Sequence, residues 1–107
     1  MSDRSHQLEF VVASGTRQFT RCLLQPGEYR IGQDPKNEIT VDEPSISAQH
    51  AKLTMVDEHE LYLEDLNSIN GTYVDGDLAA EATPISTESA IQLGACTARL
   101  RFRRAFH

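Results

Sequence analysis

No window of a dozen residues in this 107-residue chain repeats apolar positions at helical spacing, whereas two-residue alternation recurs along its whole length. A helix of a small globular protein buries an apolar stripe, and a chain without such a stripe has no helix to pack. Two-residue alternation sends successive side chains to opposite faces of a strand. Candidate strands are Leu8 to Ala13, Gln18 to Leu24, Glu28 to Ile31, Glu38 to Val41, Ala51 to Val56, Leu61 to Leu66, Thr72 to Val74, Ala90 to Leu93 and Cys96 to Phe102. The last is the cleanest: Ala98, Leu100 and Phe102 face one way, and Thr97, Arg99, Arg101 and Arg103 the other.

Turn formers separate these runs: Ser14-Gly15, Gln25-Pro26-Gly27, Asp34-Pro35-Lys36-Asn37, Asp57-Glu58, Asn70-Gly71 and Asp75-Gly76. Asn-Gly and Asp-Gly supply the positive φ angles of two-residue hairpin turns. Nine or more short strands punctuated this often predict an all-β sandwich or barrel. With 39% hydrophobic and 24% charged residues, the composition is that of a folded domain rather than a disordered chain. No repeat, linker or low-complexity segment divides it, so residues 1–107 are expected to form one domain.

Charge and special residues exclude several functions. Ten Lys and Arg against 16 Asp and Glu give a net charge of -6, which disfavours nucleic acid and acidic membrane surfaces as partners. No apolar run is long enough to span a bilayer. The polar start, Met1 to His6, is not followed by the apolar core of a secretory signal. Without such a signal, Cys22 and Cys96 are expected to be reduced thiols in strands. Those cysteines and His6, His50, His59 and His107 show no metal-ligand spacing, so neither metal nor cofactor is expected.

Three clusters stand out by their order and separation: Tyr29-Arg30-Ile31-Gly32-Gln33, then Pro44-Ser45-Ile46-Ser47-Ala48-Gln49-His50-Ala51, then Leu66-Asn67-Ser68-Ile69-Asn70-Gly71-Thr72-Tyr73-Val74-Asp75-Gly76. Each has a plain structural reading. Gly32 could end a strand, Ser47 and His50 could satisfy buried loop groups, and Asn70-Gly71 could be a hairpin turn. Asn70-Gly71-Thr72 also matches a glycosylation acceptor, which without a secretion signal reads as coincidence. Ser47 and His50 do not read as nucleophile and base. In extended chain an offset of three puts them on opposite faces, and neither an acidic orienter nor an oxyanion motif accompanies them. No enzymatic activity and no small-molecule substrate are expected.

Taken together, Ile31-Gly32, Ser47-x-x-His50 and Asn70-Gly71-Thr72 resemble the forkhead-associated (FHA) domain pattern, and the resemblance covers about residues 28–102. It implies a β-sandwich of about eleven short, mainly antiparallel strands. It also implies a non-catalytic interaction module that binds phosphothreonine segments of partner proteins through loops at one end, in kinase-linked signalling in the cytoplasm. Phosphate brings about -1.5 to -2 charges and three acceptor oxygens, so such a site needs cations, hydroxyls and backbone N–H groups. By the resemblance, Ser47 meets the phosphate and Asn70 holds the peptide main chain, while Gly32, His50, Gly71 and Thr72 shape the loops.

The chain departs from the pattern where phosphate would be held. The family's phosphate-contacting arginine is Gln33 here, which can donate a hydrogen bond but brings neither charge nor a five-donor fork. A charge-assisted bond is worth about 1.5–3 kcal/mol, so its loss weakens binding about ten- to a hundredfold. Ala48, Ile69 and Ser45 replace residues that are often polar or basic in the family. Lys36 could return some charge, and Arg30, an odd number of residues from Gln33, is expected to face away. Two readings follow: a phosphothreonine-binding module with weakened or altered phosphate dependence, or a phosphate-independent assembly or scaffold domain using a sandwich face or the apolar loop tip around Ile46 and Ile69. The basic run Arg99, Arg101, Arg103 and Arg104 is read as a solvated strand face paired with neighbouring acids.

Overall fold

The computed structural model describes residues 6–104, so the polar start of the chain and His107 lie outside the described residues. Eleven strands follow in order: β1 (His6–Ser14), β2 (Arg17–Leu23), β3 (Gly27–Gly32), β4 (Ile39–Thr40), β5 (Ala51–Asp57), β6 (Glu60–Asp65), β7 (Thr72–Val74), β8 (Asp77–Leu78), β9 (Thr83–Ile85), β10 (Ile91–Leu93) and β11 (Cys96–Arg104). They form two sheets, β2-β1-β11-β10-β7-β8 and β4-β3-β5-β6-β9. This is the all-β sandwich that the alternation predicts.

The inner faces carry the apolar half of each alternating run. Phe10 and Val12 of β1, Leu100 of β11 and Leu93 of β10 pack against Ile31, Leu53 and Leu63 of the other sheet, all fully or almost fully buried. Each such side chain contributes about 1.5–3 kcal/mol by leaving water. The two cysteines are free: Cys96 lies in the core and Cys22 is partly buried. Among the described residues no helix is long and apolar enough to cross a membrane. No group of three His, Cys, Asp or Glu among them could hold a metal.

Several expectations need correction. The strand expected over Glu38 to Val41 shrinks to Ile39–Thr40 and pairs parallel with β3. Glu38 lies outside it, its carboxylate accepting the Arg30 N–H at 2.7 Å. β8 and β9 were absent from the alternation: β8 is two residues long, and Pro84 interrupts the three residues of β9. Asp75-Gly76 is the expected hairpin turn, with φ of 52° and 89°. Asn70-Gly71, by contrast, connects β6 of one sheet to β7 of the other. Phe102 continues the inward-facing series of β11 but is 47% exposed. On the basic face read as paired with neighbouring acids, Arg101 of β11 and Arg21 of β2 both lie on Glu9 among the described residues.

Candidate functional site

Four connections converge through hydrogen bonds: residues 33–38 after β3, 41–50 after β4, 66–71 after β6, and the tight turn at 94–95 between β10 and β11. The first two are forced together at Gly32. A Cβ there would lie 2.0 Å from the Ala48 carbonyl oxygen and 2.6 Å from Asn37 Nδ2, so only glycine fits. Asn37 is buried, and its amide donates to Asp34 O at 2.8 Å and Ala48 O at 2.7 Å.

Gln33 completes this contact inward. Its N–H donates to Ser47 O at 2.9 Å, and its side-chain Nε2 donates to Glu43 O at 3.0 Å. The Glu43 carboxylate accepts both the N–H (2.7 Å) and the hydroxyl of Ser45. Those bonds, the hydroxyl's first, hold Glu43 below the ordinary carboxylate range. Ser45 also accepts the Ala95 N–H on its Oγ at 2.9 Å and the Asn70 side-chain amide on its carbonyl at 2.9 Å. Ser45 therefore binds its loop to two others, and its hydroxyl is already engaged.

His50 lies at the centre, fully buried. Its Nδ1 accepts the Ser47 N–H at 3.0 Å, so Nε2 carries the proton and donates to Gly71 O at 2.9 Å. Its own N–H and carbonyl bond Ile31 O and Leu66 N–H. The segment before β5 is a turn, not the extended chain on which Ser47 and His50 were expected to diverge. The ring meets the Ser47 backbone, while the Ser47 hydroxyl accepts the Ile69 N–H at 3.0 Å. A serine whose hydroxyl faces away from the imidazole is not set up as a nucleophile.

The loop before β7 is held from below. Asp65 accepts the Ser68 hydroxyl at 2.5 Å, the Ser68 N–H at 3.1 Å and the buried Thr72 hydroxyl at 2.8 Å. Ser68 Oγ in turn accepts the Gly71 N–H at 2.9 Å. Gly71 has a φ of 87°, and a Cβ there would strike the Tyr73 ring at 2.8 Å. Asn37, Asp65 and Ser68 are loop-shaping residues that sequence reasoning missed. An acid at a strand end with a serine three residues later was the available signal for the last two.

What remains at the surface is a small set of groups. Ala48 is exposed, and its N–H has no hydrogen-bond partner among the described residues. Near it lie the Ser47 hydroxyl, the rest of the Asn70 amide, and Ile69, which is 88% exposed. Ile46, expected beside Ile69 at an apolar tip, is instead 3% exposed within the core. Lys36 is exposed and shares a cleft of about 350 Å³ with Arg30, Glu28, Glu38 and Gln49. Gln33 does not line that cleft. The convergent loops can offer neutral hydrogen-bond donors to an anion and an amide to an extended backbone.

The sequence profile of the FHA domain family matches residues 29–94. The chain is 32% identical over 84 residues to an oxoglutarate dehydrogenase inhibitor of Corynebacterium glutamicum, covering 78% of this chain and 57% of that protein. It is 29% identical over 99 residues to the FHA domain-containing protein FhaB of Mycobacterium tuberculosis, covering 92% and 63%. The chain thus spans less than two thirds of the length of these relatives. Its structure is similar to that of the FHA domain of the CT664 protein from Chlamydia trachomatis, with a TM-score of 0.78 and 26% identity over 94% of this chain and 99% of that one.

Proposed function

The chain belongs to the FHA domain family, and on that footing we propose that its convergent loops bind threonine-phosphorylated segments of partner proteins, with a weakened dependence on the phosphate. Membership places it among non-catalytic interaction modules, and a relative that is an enzyme inhibitor fits that role. Residues 1–107 act as one such module, in kinase-linked signalling in the cytoplasm.

The observation that carries the reading is Gln33. It stands where the family holds phosphate with arginine, and its amide is engaged by the Glu43 carbonyl. The phosphate is left with the Ser47 hydroxyl, the Ala48 N–H and at most the second N–H of Gln33. Asn70 holds the peptide main chain, and Gly32, His50, Gly71 and Thr72 keep the loops in place. Asp34, Asp42 and Glu43 lie in the same loops and work against a dianion. Ile69, 88% exposed beside the Ser47 hydroxyl, favours a second contribution from apolar contact that needs no phosphate.

Matched libraries of phosphothreonine and unphosphorylated peptides test this. The native chain is expected to prefer the phosphorylated set by a modest factor, and Ser47→Ala to remove the preference. Equal binding of both sets by the native chain sinks phosphate recognition and leaves the phosphate-independent assembly role.

A further inference from the structure

Charge is distributed very unevenly over this molecule. β1, β2 and β11 hold six of the ten Lys and Arg residues and one of the sixteen Asp and Glu residues, a net of +5 that leaves -11 on the rest of the chain. The strand register places four of these arginines on one face. Arg99 opposes Val11, Arg101 opposes Glu9 and Arg103 opposes Gln7 across β1–β11, and Arg21 opposes Val11 across β1–β2. Leu8, Phe10 and Val12 take the core side of β1, so these arginines stand on the outer face of the six-stranded sheet.

Two residues of this outer face are nonetheless buried: Val11 is 7% exposed and Glu9 1%. Val11 lies between Arg99 and Arg21, whose aliphatic stems shield it while their guanidinium groups stay in water. Glu9 accepts from Arg101 on its Oε2, and its Oε1 lies 3.6 Å from Arg21 Nε. Arg101 is therefore fixed in place by a buried carboxylate, whereas Arg99 makes no ion pair among the described residues. Over the same face opens a cleft of about 490 Å³. Val11 and Ala13 of β1, Arg99 and Arg101 of β11, and Thr16 and Gln18 around the start of β2 line it.

We propose that this cleft on the outer sheet face binds an acidic segment of a partner protein, whose carboxylates meet Arg99 and Arg101. A guanidinium is planar and matches a carboxylate with two parallel donors. Arg101 is already held by Glu9, so it loses little side-chain freedom on binding. Arg99 and Arg101 stand two residues apart on one strand face, about 6.6–6.8 Å, which is also the spacing of alternate side chains along an extended segment. The Thr16 hydroxyl and the Gln18 amide offer hydrogen bonds to its main chain. A second copy of this chain fits less well, because two such faces repel and a contact between unlike surfaces leaves one basic face free. Nucleic acid is also disfavoured, since a long polyanion would run from this patch onto a remainder carrying -11. Gln33, Ser47 and Asn70 do not line the cleft, and what binds here is independent of what their loops hold.

The test uses the full chain and two unphosphorylated ten-residue peptides, one alternating Glu with Ser and one alternating Lys with Ser. Anisotropy titrations at low salt are expected to show binding of the Glu peptide alone, weakening as salt rises. Its amide chemical-shift changes should map to Val11, Ala13, Gln18, Thr97 and Arg99 and leave residues 45–48 and 69–71 unmoved. Arg99→Gln, at an exposed position, should bind the Glu peptide about tenfold more weakly. Ala13→Leu, which fills the cleft without altering charge, should weaken it as well, with thermal unfolding showing that both variants fold. Shifts confined to the loops, or an affinity indifferent to both substitutions, overturn the proposal. So does tighter, equally Arg99-dependent binding of a single-stranded DNA of the same length, which would make the cleft a nucleic-acid site. Self-association of the native chain that Arg99→Gln abolishes would overturn it too, making a second copy the occupant.

Discussion

His50 and Gly71, 21 residues apart, are joined by a 2.9 Å hydrogen bond from the ring Nε2 to the carbonyl, while the opposite ring nitrogen holds the Ser47 N–H. One neutral imidazole thus fixes the spacing between the loop bearing Ser47 and the loop bearing Asn70. The Nε2–H tautomer is the expected state, read from ring-nitrogen chemical shifts. His50→Ala leaves a buried carbonyl and an N–H unsatisfied and opens a cavity. It should cost about 2–4 kcal/mol in urea unfolding and reduce peptide binding with it. A ring protonated on Nδ1 alone would break this arrangement.

Gly32→Ala should be among the most damaging single-methyl additions. The new carbon would meet the Ala48 carbonyl at 2.0 Å, and a backbone oxygen cannot rotate aside as a side chain does. Overpacking usually costs about 1–3 kcal/mol, and the upper end is expected here, with faster amide exchange in residues 45–50. A stability loss under about 0.5 kcal/mol would mean that the two loops are not in contact.

The Glu43 carboxylate, held below its ordinary value of 4.5 by Ser45, gives the loops an acid sensitivity. A carboxylate depressed on folding stabilises the fold above its unfolded value, and that contribution is lost as pH falls through the folded value. Acidification below pH 4.5 should therefore release Ser45 and loosen the Glu43 segment that Gln33 grips. Carboxyl carbon shifts of Glu43 across an acid titration check this. Ser45→Ala should move its midpoint upward; an unchanged midpoint removes Ser45 as the cause.

Both cysteines should be poor nucleophiles. Burial raises the Cys22 thiol, and burial followed by the Glu43 charge raises Cys96, so neither holds much thiolate at neutral pH. A thiol reagent should label Cys22 slowly and Cys96 only on unfolding. Rapid labelling of Cys96 in the native chain would contradict its burial.

The strands that build the core were legible because Leu8, Phe10 and Val12, or Ala98 and Leu100, alternate strictly with polar neighbours. β8 and β9 were not: Asp77–Leu78 offers one repeat of the pattern, and Pro84 interrupts the other. The site was legible as residue types at set separations, in Gly32, Ser47, His50 and Asn70. Its wiring was not, because Asn37 and Ala48 are 11 residues apart and Ser45 and Ala95 are 50 apart, distances over which no periodicity speaks. Ile46 looked like a loop residue for the same reason, since the fold turns that loop back into the core. Alternation likewise shows that Arg99, Arg101 and Arg103 share a face, but not that Glu9 of β1 stands opposite Arg101.

The most direct measurement is calorimetric titration of one phosphothreonine peptide, with its unphosphorylated counterpart as reference, into the native chain and into Gln33→Arg. A restored guanidinium should raise phosphopeptide affinity about ten- to a hundredfold and leave binding of the unphosphorylated peptide unchanged. The native chain should still prefer the phosphopeptide, and Ser47→Ala should erase that preference in both backgrounds. No gain from Gln33→Arg, or a native chain that already binds the phosphopeptide as tightly as the variant, would contradict the claim that Gln33 weakens this site.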